Sequence, residues 1–70
     1  MTTHKPIGKL AYQQLGVRFE LRVMRSAQGF YVGTGNELGP VSRESEEYYA
    51  TSDLAQHALD NSEFTQREHP

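Results

Sequence analysis

The sequence predicts an α+β fold: an antiparallel sheet of three or four strands with one C-terminal helix packed on one face. Three observations carry this. Val17, Phe19, Leu21 and Val23 alternate with Arg18, Glu20, Arg22 and Met24, the period of a strand with one buried side. Ser26-Ala27-Gln28-Gly29 is small and polar, ends in glycine and precedes the β-prone run Phe30-Tyr31-Val32, as a hairpin requires. Thr51-Ser52-Asp53 opens a segment in which Leu54, Ala55, Ala58 and Leu59 form a narrow apolar stripe at helical spacing.

Taken in order, Lys9–Gln14 reads as a first strand with Leu10 and Tyr12 on one side. A tight turn follows at Gln14–Val17, where Gly16 can supply a positive φ. Val17–Arg25 is the second strand, and its alternation makes Phe19 and Leu21 core residues. A four-residue loop then sets Val23 opposite Val32 and Met24 opposite Tyr31. This register places Phe30 and Val32 on the buried side and Tyr31 with Arg22 and Met24 on the exposed side. Gly33–Pro40 holds three glycines, an asparagine and a proline, the composition of a loop. Ser45–Tyr49 reads as a fourth strand at an edge, where Glu46 and Glu47 discourage intermolecular pairing. In the helix Thr51 can cap, Asp53 suits the first turn, and Asn61 suits the end. Phe64 folds back on the core in this reading, and residues 1–6 and 65–70 are disordered ends of a single domain spanning residues 1–70.

Composition limits the function. The chain has 70 residues, 36% hydrophobic, 23% charged, with no Cys. That excludes a disulfide scaffold, a thiolate metal site and a Cys nucleophile together. No apolar run approaches the ~18 residues of a membrane span, and Met1–Pro6 lacks the apolar segment of a signal peptide, so a cytoplasmic protein is expected. His4, His57 and His69 are scattered, and His57 is better placed for an i,i+4 pair with Asp53 than for a metal. Glu44, Glu46 and Glu47 read as a solvated edge rather than a cation site. Gly33-x-Gly35-x-x-x-Gly39 has neither phosphate-loop spacing, and no serine lies in a nucleophile elbow. The expectation is therefore no enzyme, no cofactor, no metal and no small-molecule substrate.

Charge is divided along the chain. Residues 1–25 carry five Lys or Arg against Glu20, a net +4, while residues 37–70 carry two Arg against eight carboxylates, a net −6. The candidate binding surface is the exposed sheet face, Arg18, Arg22, Met24 and Tyr31, flanked by Lys9 and Arg25. Arg, Met and Tyr are enriched at protein interfaces. The leading expectation is a non-enzymatic interaction module that binds a protein partner, or itself, through this face or an exposed edge strand. The alternative is nucleic-acid binding by the same cations with Tyr31 stacking. The layout is similar to that of small DNA-reading modules such as the amino-terminal arm-binding modules of some integrases, a likeness of topology only. The acidic isoelectric point, about 5.8, favours the protein partner.

Overall fold

The computed structural model describes residues 6–69. The elements are α1 (Lys9–Leu15), β1 (Arg22–Ser26), β2 (Gly29–Asn36), β3 (Gly39–Arg43) and α2 (Ser52–Asp60). The strands form one antiparallel sheet in the order β1-β2-β3, so the α+β class and the three-stranded sheet stand. The helix after the sheet contacts β1 and β2. A second helix precedes the sheet.

That second helix corrects the expected first strand over Lys9–Gln14. Lys, Leu, Ala and Gln are good helix formers, but seven residues do not hold a helix alone. The stabilising group comes from outside. Gly8 offers no capping side chain, and the Glu44 carboxylate instead accepts from the N–H groups of Leu10 (2.9 Å) and Ala11 (3.1 Å). Gly16, at φ 68°, closes the helix by donating its N–H to the Tyr12 carbonyl at 2.8 Å. Leu10 and Ala11 are buried, and Tyr12 is exposed.

The alternating segment divides in two. Only Arg22–Ser26 pairs with β2. Phe19–Leu21 pairs instead with Pro6–Gly8, through Gly8 N–H to Phe19 O (2.8 Å) and Leu21 N–H to Pro6 O (2.9 Å), around an Ile7–Glu20 bridge. Val17 is exposed, and Phe19 and Leu21 are half-buried rather than core. The hairpin has the predicted register, Val23 opposite Val32 and Met24 opposite Tyr31.

The glycine-rich stretch is strand, not loop. β2 runs on to Asn36 and turns at Glu37-Leu38 into β3. Gly33 serves close approach here: a Cβ would collide with the Ser42 carbonyl oxygen and lie 2.7 Å from the Tyr31 ring.

No fourth strand forms at Ser45–Tyr49. Single bridges join Ser45 to Gln66 and Tyr49 to Phe30. Ser45 is consumed by β2: its Oγ accepts from Val32 N–H at 3.0 Å and donates to Glu47 O at 2.9 Å. Residues 65–67, expected to be disordered, run beside this segment, with Glu46 N–H to Thr65 O (2.8 Å) and Arg67 N–H to Glu44 O (2.7 Å). Pro6, also expected to be disordered, accepts from Leu21 N–H at 2.9 Å, while residues 1–5 and Pro70 lie outside the described residues.

In α2, Thr51 caps by accepting from Leu54 N–H at 3.1 Å, and Asp53 sits in the first turn. Ala55 and Ala58 are buried, but Leu54 is 54% exposed, so the stripe is narrower than expected. His57 faces Glu63 at 3.5 Å rather than Asp53. The buried hydrophobic residues are Leu10, Ala11, Tyr31, Val32, Ala55 and Ala58.

Candidate interaction surface

Cross-strand pairs point to one side of a sheet, so Met24 and Tyr31 share one face and Arg22 stands beside Gly33 on it. Arg25 pairs with Phe30 on the opposite face, its guanidinium 5.9 Å from that ring. Arg18 lies 5.9 Å from the Tyr12 ring, beside α1, and Lys9 is the exposed first residue of α1. The six predicted surface residues therefore do not converge. Arg22 and Met24 come together; Arg18, Lys9 and Arg25 point elsewhere.

Tyr31 is not exposed as expected; it is 6% accessible. Its ring lies over Gly33 and meets Tyr48 edge-on, centroids 6.0 Å apart at 80°. Arg43 closes the arrangement. Its guanidinium lies 4.6 Å from the Tyr48 centroid and donates to the carbonyls of Ser45 (3.3 Å) and Glu46 (3.0 Å). Burial raises the Tyr31 hydroxyl pKa above 10.0, the Tyr48 hydroxyl raises it further, and the Arg43 charge pulls it partly back. A tyrosine enclosed in this way cannot stack on a base. Nothing local in Phe30-Tyr31-Val32 signals this, because Arg43 comes from the end of β3 and Tyr48 from the segment after it.

Glu44 departs furthest from expectation. It is fully buried. Besides the two α1 amides it accepts from Ser42 Oγ (2.5 Å) and Gln66 Nε2 (2.8 Å). Burial pushes its carboxyl up, and the hydrogen bonds from Ser42, Leu10, Gln66 and Ala11 outweigh this and hold it below 4.5. Glu47 accepts from the Thr65 N–H and hydroxyl. Among the described residues no group of three His, Asp or Glu could hold a metal ion, and no helix is long and apolar enough to cross a membrane.

The two edges of the sheet differ. On β3, Pro40 lacks an N–H and the Arg67 guanidinium donates to the Arg43 carbonyl at 3.1 Å. The outer edge of β1 is covered only at its approach. Leu21 N–H points outward to Pro6, and period two along the strand turns the backbone of Val23 and Arg25 to the same side. Among the described residues none pairs with those groups. Along this edge runs a groove of about 750 Å³, lined by Pro6, Ile7 and Glu20–Val23 on one side and by Gln56, Leu59, Asp60 and Ser62 on the other. No sequence signal locates it, since it exists only where α2 lies beside β1. No family model, no curated protein and no solved structure matches the chain.

Proposed function

We propose that the protein is a small non-enzymatic module that binds a protein partner by strand addition at the outer edge of β1. One observation carries this: the outward backbone at Val23 and Arg25, which no other described residue pairs, lies beside the groove between β1 and α2. An extended segment laid there gains main-chain hydrogen bonds from the edge and a pocket for alternate side chains from the groove. The arrangement fits an α2 that packs on the Val23–Val32 side of the sheet, so that one wall of the groove is strand and the other helix.

The test is selection from a random peptide library, followed by amide exchange of the protein with the selected peptides. Slowed exchange at Val23 and Arg25 is expected, and Val23→Pro should abolish binding. That substitution removes an outward N–H and no ladder bond, so Val32 should stay protected. A library without binders, or binders that protect only residues distant from β1, would overturn the proposal.

The nucleic-acid reading retains one supporting observation. Lys9, Arg18, Arg22 and Arg25 form no ion pair with a described carboxylate. Arg22 and Arg25 lie on opposite sheet faces, however, and Tyr31 is enclosed. Phosphate binding would weaken steeply with salt, so titrating short oligonucleotides at low and moderate salt separates the two readings.

A further inference from the structure

Resting on that edge reading, we infer that the β1 edge selects an extended partner segment in which two apolar residues lie between two acidic ones. The order follows from the residues it would face. A segment antiparallel to β1, continuing the direction of Pro6–Gly8, meets Arg25, Met24, Val23 and Arg22 in turn. Directly opposed residues share a face. The residue opposite Val23 enters the groove beside Leu21 and Leu59, and must be apolar. The residue opposite Met24 lies on the other face against a half-buried thioether, and is also apolar. The residues opposite Arg25 and Arg22 each meet an exposed guanidinium without an ion pair to a described carboxylate. A carboxylate there gains a charge-assisted bond; an ammonium is repelled.

The groove also holds two carboxylates, Asp60, which accepts from Gln56 Nε2 at 2.8 Å, and Glu20, whose backbone is bridged to Ile7; the preference rests on the two arginines that the segment directly opposes. A second copy is the poorer occupant. Arg22–Ser26 contains no carboxylate, so pairing β1 with itself brings four arginines to one seam with nothing on the strand to offset them.

The probes are a blocked peptide with the core Glu-Val-Ile-Glu between Ser-Thr flanks and its counterpart with the core Lys-Val-Ile-Lys. The glutamate peptide should bind at least roughly tenfold more tightly and slow exchange at Val23 and Arg25. Arg22→Glu/Arg25→Glu should invert the order while leaving the melting curve near that of the wild type. Edge binders from the library that show no acidic preference would overturn this inference and leave strand addition standing. A library without edge binders would remove strand addition itself. Concentration-dependent dimerisation that protects Val23 and Arg25 would overturn the inference in favour of a second copy. So would protection of those amides in the free protein that is lost on removing residues 1–5, because the chain would then cover its own edge.

Discussion

Replacing Glu44 with Gln removes a buried charge and turns one acceptor oxygen into a donor. Oε1 accepts from Leu10 N–H and Gln66 Nε2, and Oε2 from Ala11 N–H and Ser42 Oγ. Whichever oxygen becomes NH2, one α1 backbone N–H then faces a donor. A buried donor left without its acceptor costs ~1–3 kcal/mol, and the surviving bonds lose their charge assistance. The sum is about 2–4 kcal/mol, against a total stability of ~4–10 kcal/mol for a chain this long. In a small domain this lowers Tm by roughly 10–30 °C. Urea melts of wild type and Glu44→Gln should be run from pH 7 to pH 3, with amide exchange at Leu10 and Ala11. The folded protein holds this carboxyl below its ordinary 4.5. Its stabilisation is therefore complete above that value and is lost as the pH falls through the lower, folded one. The wild-type and variant curves should separate at pH 7 and approach one another in acid. A variant within ~0.5 kcal/mol of wild type at pH 7, or a gap unchanged down to pH 3, would refute the capping role.

Thr51→Ala removes the α2 cap and should cost about 1 kcal/mol in a urea melt. Leu54→Ser should fall within ~0.5 kcal/mol of wild type because the side chain is solvated, while Ala55→Leu should lose ~1–3 kcal/mol by overpacking; equal effects would misplace the buried side of α2. Arg43→Ala removes the one charge that lowers the Tyr31 hydroxyl, so phenolate absorbance should show Tyr31 titrating at still higher pH than in the wild type. Gly33→Ala should destabilise by roughly 1–3 kcal/mol, measured by thermal melt, since β2 must yield to seat the methyl group.

What the sequence discloses follows how local each cause is. The β1–β2 register is legible because Ser26 and Gly29 lie three residues apart and the alternation on either side fixes the rest. The start of α2 is legible because Thr51 caps an N–H three residues on. The first helix is not, because its capping carboxylate lies 34 residues from Leu10, inside a run of glutamates that reads as solvated. Period two over Val17–Arg25 reports extended backbone and is silent about partners, so the exchange of β2 for Pro6–Gly8 at Leu21 leaves no mark in the pattern. The glycines of β2 mislead for a related reason. Composition distinguishes glycine in a turn from glycine under a neighbouring ring only when the ring is known to be there.

The same reasoning divides the candidate site. That Arg22 and Met24 share a face is legible because side-chain alternation is a local property; the burial of Tyr31 is not, because it depends on Arg43 and Tyr48. The groove depends on still more. Its helical wall is α2, and the end of its covered edge is set by Pro6–Gly8, which immediately precedes α1. Docking of α1 is tied in turn to Glu44, and Glu44 to Ser42 on β3 and Gln66 in the C-terminal tail. The length of β1 left open by the described residues is thus bounded by a carboxylate whose hydrogen bonds go to α1, Ser42 and Gln66. If α1 is released, the constraint that seats Pro6–Gly8 against Phe19–Leu21 weakens. The edge available for pairing then lengthens toward Phe19, beyond the short stretch that Arg22 and Arg25 guard. Burying one glutamate in a small core stabilises α1, and under the proposed strand addition it also keeps the sheet edge short enough for two arginines to decide what may pair with it.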